Sequence, residues 1–339
     1  MQSNTAPYSD FGLVKDMLQT PEVIRGFDPN VVAPIVDAIR SKGKLFFTGE
    51  GSSRLFPGKS AIRRSRINGW PLVLHTEAGR QSQEYKLQDW AVLAISNSGR
   101  TAEVIRLYND LKAADHPALF SLTAMAQSTL ESLAAKGFVL GCGKEGAVAA
   151  TKSVIEQALF CQALVEAVAG ETTLAGKLPG LADAVQQALT QPIDPALTEK
   201  LCAARTIYIA GRNDGVAEEL ALKANEITRK RSDFLEGTYA VHGIEEIMNA
   251  DDVVVWIDPY PESEQKFHDC LVKGVGLTVI AISSRPTMFP TIQIPDAGEL
   301  SGFVELAAGW NLLVEIGVKL GINVDKPTRA RKVGNEFTG

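Results

Sequence analysis

The feature that most constrains the fold is an apolar run that ends abruptly in small polar residues. The run spans 90–95, the sequence Ser-Asn-Ser-Gly-Arg-Thr follows at 96–101, and an amphipathic pattern with a period of about 3.6 residues comes next. This order predicts a buried parallel strand, a turn and a helix. The turn would bring the hydroxyls of Ser96, Ser98 and Thr101 close to free N–H groups at a helix N-terminus, which suits it to bind a phosphate. An ordinary Ser/Thr helix cap is the alternative.

Strand and helix patterns alternate along much of the chain. Strands are predicted at 44–48, 72–75, 90–95, 118–123 and 138–141, and again at 206–210, 253–257 and 277–282. A glycine- and serine-rich turn, 49–53, follows the first strand, and a similar turn, 211–215, follows strand 206–210. Helices between parallel strands cover both faces of a sheet, so the order predicts an α/β fold with two similar parallel-sheet halves. Two unrelated α/β domains are the alternative.

The predicted organisation has four parts. Residues 1–40 form a helical arm with amphipathic stretches on either side of Pro21, and 41–192 form a first α/β domain that binds phosphate. Residues 193–320 form a second α/β domain that carries acid–base groups, and 321–339 form a C-terminal tail that closes the site. The tail is basic and not helical by pattern, so it is expected to be ordered only over an anion. The turns 49–53 and 96–101 both follow strands, and we expect them to face one crevice.

Composition excludes several classes of function. The 339-residue chain has a formal net charge of -6, which indicates no basic face for nucleic acid. Its four cysteines and four histidines show no metal-ligand or disulfide spacing, so neither a metal nor a cofactor is predicted. No apolar run reaches the roughly 18–20 residues of a membrane span, and no secretory leader pattern is present, so no membrane partner and a cytoplasmic location are expected.

Two places in the second half offer groups for proton transfer. On a predicted helix over 216–230, Lys223 and Glu226 flank an apolar stripe, where a partly desolvated carboxylate suits general base catalysis. A surface ion pair is the alternative there. His242 lies in a glycine-flanked loop and is a candidate acid or base, with an ordinary surface histidine as the alternative.

Together these segments resemble the double sugar-isomerase (SIS) domain family, most closely the isomerase half of glucosamine-6-phosphate synthase and its stand-alone relatives. The similar segments are 49–53, 96–101, 145–152, 222–228, 242–243 and 324–332. The resemblance implies two tandem flavodoxin-like SIS subdomains and a phosphorylated sugar as the substrate. The residues implied to bind it are Ser52, Ser53, Ser96, Asn97, Ser98 and Thr101, with a backbone contact from Val148.

The resemblance also implies roles for four side chains. Glu226 would carry a proton between C1 and C2 of the sugar, and Lys223 would assist proton movement among the sugar oxygens. His242 would open the ring from the neighbouring subunit, which implies a homodimer. Lys332 would form a Schiff base with the open-chain ketose.

The sequence departs from the synthase at several of these positions. Arg100 replaces a glutamate, Asn97 a glutamine, Ala150 a serine and Asn225 a lysine. Arg100 indicates a second anionic group on the substrate, such as a carboxylate. No glutamine-hydrolysing domain precedes residue 1, from which we expect a catabolic isomerase or deaminase of amino-sugar or ketosamine 6-phosphates. A fructosamine-6-phosphate deglycase and a non-catalytic sugar-phosphate-binding regulator are the alternatives, and the joint presence of Glu226, His242 and Lys332 favours an enzyme.

Overall fold

The chain forms two compact units, each made of segments that are not continuous in sequence. The computed structural model describes residues 1, 5–329 and 336–337. Unit A contains Glu22–Glu145, Ala150–Pro179 and the described residues after Thr328, and unit B contains Met1–Pro21, Gly146–Ala149 and Gly180–Thr328. The four predicted parts, 1–40, 41–192, 193–320 and 321–339, are each continuous in sequence, unlike these two units. Their bounds stay a prediction.

Each unit is built on one parallel five-stranded sheet, and the two sheets share one topology. The strands of unit A are β1 Lys44–Gly49, β2 Val73–Ala78, β3 Ala91–Ser96, β4 Leu119–Thr123 and β5 Lys136–Val139, and those of unit B are β6 Thr206–Gly211, β7 Arg231–Glu236, β8 Val253–Ile257, β9 Thr278–Ser283 and β10 Thr291–Gln293. The spatial orders are β2-β1-β3-β4-β5 and β10-β9-β8-β6-β7. Counted within its own half, each sheet therefore has the order 2-1-3-4-5, which is the flavodoxin-like order. The predicted α/β class with two similar parallel sheets is confirmed.

Twelve α-helices lie within the described residues. They are α1 Gly12–Gly26, α2 Ala33–Lys42, α3 Leu55–Ile67, α4 Gly79–Ser82, α5 Ala102–Ala113, α6 Thr129–Leu133, α7 Lys152–Ala169, α8 Leu174–Thr190, α9 Pro195–Ala203, α10 Val216–Lys223, α11 Glu264–Phe267 and α12 Ser301–Lys319. Two of them continue as π-helical turns, α10 into Ala224–Thr228 and α11 into His268–Val275. The central strands β3, β4, β6 and β8 are buried along their whole length, as a sheet covered on both faces requires.

The structure corrects the sequence prediction in the N-terminal arm and at the sheet edges. Pro21 lies inside α1 rather than between two helices. Apolar residues on both sides of it are fully buried, and this packing offsets the hydrogen bond that a proline removes. Strands β7 and β10 were not predicted, because both lie at sheet edges and lack a continuous apolar run.

The C-terminal tail is held by Asp325. Its carboxylate accepts hydrogen bonds from the backbone N–H groups of Gly12 and Leu13, both at 2.8 Å. These N–H groups begin α1 and have no partner within the helix. Arg229 adds hydrogen bonds to the backbone oxygens of Asn323 and Lys326. Protein contacts thus hold the described start of the tail, and the expectation that the tail closes over an anion stays a prediction.

No helix in the described residues is long and apolar enough to cross a membrane. The same part of the chain contains no group of three or more His, Cys, Asp or Glu side chains placed to hold a metal ion. All four cysteines are free. The cytoplasmic location stays a prediction.

Candidate active site

The serine turn, residues 96–101, is closed by its own hydroxyl groups. Strand β3 ends at Ser96, whose Oγ lies 2.8 Å from Oγ1 of Thr101 and accepts a hydrogen bond from the N–H of Gly99 at 3.1 Å. The hydroxyl of Ser98 accepts a hydrogen bond from the N–H of Arg100 at 3.2 Å. Thr101 precedes α5, but its side chain makes no capping hydrogen bond to that helix. The ordinary helix cap, the alternative to a phosphate loop, therefore does not describe this turn.

Gly99 gives the serine turn its shape. Its φ is +63°, a left-handed conformation that favours glycine. A Cβ at this position would lie 2.4 Å from both Cβ and Oγ of Ser128, the residue that caps α6. The N–H of Leu130 also donates to the carbonyl of Gly99 at 3.0 Å. The turn is thus fitted against the start of α6, and only glycine has both the conformation and the size for that place.

The serine turn and the turn 49–53 line one cleft in unit A, as predicted from their places after the neighbouring strands β3 and β1. The cleft has a volume of about 380 Å³, within the range of small-molecule sites. Its lining residues are Ser53, Asn97, Ser98, Arg100, Thr101, Ala124, Met125, Lys144, Glu145 and Glu336. Of the predicted phosphate-binding residues, Ser96 and Ser52 do not line the cleft: Ser96 is buried beneath the turn, and Ser52 lies half-buried in the short 3₁₀ turn Gly51–Ser53.

The charged groups of the cleft differ in what they are free to contact. Arg100 and Lys144 are exposed, and neither side chain forms an ion pair with any residue the structure describes. Glu145 is buried, and its carboxylate accepts hydrogen bonds from the N–H groups of Thr151 and Ser153, at 2.9 and 3.0 Å, at the start of α7. Glu145 therefore binds the backbone at the start of α7, whereas the two cations and the hydroxyls that line the cleft can contact an anion.

Five lining residues of this cleft were not predicted from the sequence, and three of them are charged: Lys144, Glu145 and Glu336. Lys144 and Glu145 follow the glycine turn 141–143 after β5, and that turn was a signal that could have marked them. Glu336 pairs with Thr101 in an antiparallel bridge, and the N–H of Phe337 donates to the carbonyl of Arg100 at 2.9 Å. No local pattern predicts that pairing, because the two segments are far apart in the chain.

In unit B, Lys223 lies between two carboxylates on α10 and the turn that follows it. Its Nζ is 3.2 Å from Oε1 of Glu219 and 2.8 Å from Oε2 of Glu226. Burial by itself lowers the pKa of Lys223, but the charges of Glu219 and Glu226 and the hydrogen bonds to them raise that pKa above its ordinary value. Lys223 therefore stays protonated at neutral pH. The predicted Lys223–Glu226 pair is formed, and Glu219 is a third member that was not predicted.

Glu226 lies on the π-helical turn Ala224–Thr228, where a single helix over 216–230 had been predicted. Asn225 fixes this turn: its amide nitrogen donates to the carbonyls of Ala221 and Ser232, and its amide oxygen accepts from the N–H of Ser232 at 3.1 Å. Ser232 belongs to β7, so the turn is fastened to the sheet edge. Single π-helical turns are frequent at functional sites.

The other predicted site residues are placed as follows. His242 is exposed between two short 3₁₀ turns, and its Nε2 lies 3.4 Å from Nζ of Lys266. The N–H of Val148 donates to the carbonyl of Asp325 at 3.2 Å, so this backbone group is used by the tail. Lys332 lies outside the described residues. The functional roles of all these residues stay predictions.

The second sheet carries no counterpart of the serine turn. The equivalent turns there follow β6 and β8, and Arg212 and Asp258 join them in an ion pair. The Arg212 guanidinium also donates to the backbone carbonyl of Asp258 at 2.6 Å and lies 4.3 Å from the ring centre of Tyr260. The two halves thus share a topology but differ in chemistry: in unit A these turns line a cleft, and in unit B they are tied to each other.

Comparison with known proteins identifies the first sheet and its helices. Residues 38–167 match the sequence profile of the SIS domain family. This match covers β1–β5 and most of α7, including the serine turn, and it confirms the resemblance drawn from the sequence.

Relatives and solved structures extend the likeness beyond this SIS domain. A glutamine–fructose-6-phosphate aminotransferase (isomerizing) of Aeropyrum pernix is 26% identical in an alignment of 325 positions, which covers 87% of this chain and 51% of that protein. The chain thus spans about half the length of this relative. The C-terminal domain of the glucosamine-fructose-6-phosphate aminotransferase of Francisella tularensis has a TM-score of 0.79 at 17% identity, over 96% of this chain and 100% of that one. Tagatose-6-phosphate ketose/aldose isomerase of Escherichia coli has a TM-score of 0.76 at 18% identity, over 96% and 99%. The chain therefore has the fold of these two solved structures.

Proposed function

We propose that this protein is an isomerase or deaminase of an amino-sugar or ketosamine 6-phosphate, which opens the sugar ring and moves a proton between C1 and C2. The observation that carries the proposal is the cleft of unit A, where hydroxyls and two cations without an ion-pair partner among the described residues surround a space of about 380 Å³. The names of two similar proteins contain a sugar 6-phosphate, and a site of this kind suits such a ligand. The same chain supplies a carboxylate and an ammonium in contact at 2.8 Å.

The cleft would bind the phosphate and thereby fix the sugar. Ser53, Ser98 and Thr101 offer hydroxyls, and the positive charges of Arg100 and Lys144 favour an anion. Ser96 would act indirectly, because it is buried beneath the serine turn and does not line the cleft, whereas Thr101, to which it is bonded, does. Anchoring a remote phosphate lowers the entropy cost of orienting the reacting carbons.

Glu226 would act as the base. Its Oε2 is held by Lys223, and its side chain is 29% exposed, so a substrate can approach it from solvent. The carboxylate would take the proton from C2 and return it to C1, and Lys223 would assist the movement of a second proton from O2 to O1. The two transfers together convert an aldose into a ketose without any other reactant. A positioned general base contributes roughly 10²–10⁴ in rate. His242 would open the ring, and Lys332 would hold the open-chain ketose as a Schiff base with release of water.

Two other functions differ in what is released. A fructosamine-6-phosphate deglycase would release an amino acid, and the unpaired Arg100 and Lys144 favour this alternative because they could hold its carboxylate. A non-catalytic regulator would bind the sugar phosphate and release nothing. The ion pair between Lys223 and Glu226 favours an enzyme over a regulator.

The proposal is tested with a panel of substrates and one isosteric variant. Glucosamine 6-phosphate, its N-acetyl derivative, fructosamine 6-phosphates and plain hexose 6-phosphates are incubated in D2O, and deuterium uptake at C1 and C2, ketose, ammonia and free amine are measured. We expect exchange with at least one compound and a loss of roughly 10²–10⁴ in Glu226→Gln, with sugar-phosphate binding retained. Glu218→Gln, on the same helix, is the matched control.

The panel also separates the alternatives. Release of an amino acid identifies a deglycase, and release of ammonia a deaminase. Binding of a sugar phosphate by the unaltered protein with no exchange at any carbon would identify a regulator. Equal turnover in Glu226→Gln and the unaltered protein would remove Glu226 from the mechanism.

A further inference from the structure

We infer that Glu219 is a positioning residue for the proposed proton transfer, which holds Lys223 in place and supplies the second counter-charge that Lys223 needs when Glu226 takes up a proton. The inference rests on the proposed function, because it concerns how Glu226 works as a base. It comes from three side chains that follow one another along one helix face.

The three groups form a row from the interior to the surface. The side chains of Glu219 and Lys223 are 0% and 1% exposed, and that of Glu226 is 29% exposed. Glu219 is one helical turn before Lys223, and the π-helical turn begins directly after Lys223. The ammonium is therefore in contact with a buried carboxylate on one side and with the exposed carboxylate on the other. Only Glu226 is placed to meet a substrate.

The charges of this row explain why two carboxylates are present. With all three groups ionised, the row has a net charge of minus one, and uptake of a proton by Glu226 makes it neutral. Without Glu219, the same uptake would leave Lys223, a buried lysine, with neither of these two carboxylate charges. Removing one partner of a buried ion pair is strongly destabilising, because the charge that remains is less well compensated. Glu219 removes that obstacle, because Lys223 keeps one counter-ion throughout the reaction.

The row also fixes where the ammonium points. A buried lysine with one partner at the surface would follow that partner as it moves. The contact of 3.2 Å between Nζ of Lys223 and Oε1 of Glu219 holds the ammonium on its buried side. Lys223 can then donate to Glu226 and to a sugar oxygen from one position.

Kinetics of three variants test this role. In Glu219→Gln, which keeps the shape and removes the charge, we expect kcat to fall roughly 10–100-fold, part of the 10²–10⁴ that a general base contributes, with KM within about twofold. Glu219→Asp, which keeps the charge, should recover part of kcat. Glu218→Gln is the matched control in the same turn of α10. Melting temperatures are measured for each variant, because a purely structural effect would lower stability without a selective fall in kcat.

A second measurement does not depend on activity. Reductive methylation modifies only neutral amines, so Lys223 should stay unmodified in the intact protein and in Glu218→Gln, and should react several times faster in Glu219→Gln. Peptide mass spectrometry gives the rate, and Lys152, which is 5% exposed, reports in the same samples whether the protein stays folded.

The outcomes separate the inference from the proposed function. Kinetics of Glu219→Gln equal to those of Glu218→Gln, while Glu226→Gln is inactive, would overturn the inference and leave the proposed function intact. If the unaltered protein turns over no sugar phosphate, the proposed function fails, and unchanged methylation of Lys223 in Glu219→Gln would show in addition that Glu219 does not hold its charge. Faster methylation with a selective loss of kcat supports the inference.

Discussion

Arg100 places a positive charge in a serine turn whose other cleft-lining side chains are hydroxyls and an amide. Its backbone is fixed on both sides, since its N–H donates to Ser98 and its carbonyl accepts from Phe337. Its side chain has no ion-pair partner in the described part of the chain and is exposed. A fixed backbone with a free guanidinium is suited to reach a second anionic group on a bound phosphosugar, since guanidinium binds carboxylate with two hydrogen bonds.

Replacing this arginine should therefore distinguish substrates. We expect Arg100→Ala to raise KM about tenfold or more for fructosamine 6-phosphates that carry an amino-acid carboxylate, because loss of a charge-assisted hydrogen bond costs about 1.5–3 kcal/mol. KM for plain hexose 6-phosphates should change less. Steady-state kinetics on both substrate classes give the ratio. Arg106→Ala, an exposed arginine on α5 outside the cleft, is the control, and an equal rise of KM for both classes in Arg100→Ala would refute the selective role.

At the scale of residues, the sequence predicted those cleft residues whose position follows from a local sequence pattern. Ser53, Asn97, Ser98, Arg100 and Thr101 were predicted for the site, and all of them line the cleft, because a polar turn after a buried strand is a local pattern. Glu219 was not predicted as part of the Lys223–Glu226 pair. On a helical projection it is one of several polar residues, and only the packing of α10 shows that it is buried.

At the scale of elements, α12 determines how tightly the turn that carries Glu226 is held. A Cβ on Gly317 of α12 would lie 2.8 Å from Cγ1 of Val324 and 3.1 Å from the backbone oxygen of Ile227, inside the π-helical turn. A Cβ on Gly309 of the same helix would meet the side chain of Leu220 on α10 at 2.4 Å. Two glycines thus let α12 approach α10 and the π-helical turn without a gap.

We expect Gly317→Ala to disturb this contact and, through it, the base. Overpacking a filled site costs about 1–3 kcal/mol, and the backbone of Ile227 cannot move without its neighbour Glu226. The variant should unfold at lower temperature and lose kcat. Gly176→Ala on α8 is the matched control: no atom lies within 4 Å of its Cβ, so it should gain stability by roughly 0.5–1 kcal/mol. Thermal melts and kinetics of both variants check this. A Gly317→Ala variant with unchanged melting temperature and kcat would contradict the close packing.

Elements were predicted well where the pattern is continuous and poorly where packing decides. The prediction of strand 253–257 was confirmed residue for residue, since five apolar residues in succession form a central strand. The π-helical turn could not be predicted, because its cause is the bonding of Asn225 to Ser232 on another element. The edge strands β7 and β10 were missed for a similar reason: their burial depends on one neighbouring strand rather than on their own composition.

For the whole molecule, the duplication was visible in the sequence because a strand followed by a glycine turn occurs in both halves. The sheet order 2-1-3-4-5 in each half confirms it. The composition of the units was not predictable, since unit B takes Met1–Pro21 and Gly146–Ala149 from distant parts of the chain. Such long-range association depends on tertiary contacts, as the bond between Val148 and Asp325 illustrates.

The proposed homodimer, with His242 acting in the neighbouring subunit's site, predicts complementation between inactive variants. A statistical mixture of Glu226→Gln and His242→Ala subunits should recover about a quarter of the original activity, because half of the dimers then contain one intact site of two. The activity of the unfolded and refolded mixture, relative to each variant alone, measures this.

The control for this experiment uses two residues that touch within one chain. A mixture of Glu226→Gln and Lys223→Met should recover no activity, since Glu226 and Lys223 are in contact and belong to the same subunit. If His242 acts within its own subunit, the first mixture also stays inactive, and the proposed exchange between subunits is wrong.

The ion pair between Arg212 and Asp258 has a consequence for ligand binding at the second sheet. An internal acid there satisfies the cation that the second half presents near its strand ends, so that half carries its own counter-ion and needs none from outside. An anion that reached these turns would have to compete with Asp258 for the guanidinium of Arg212.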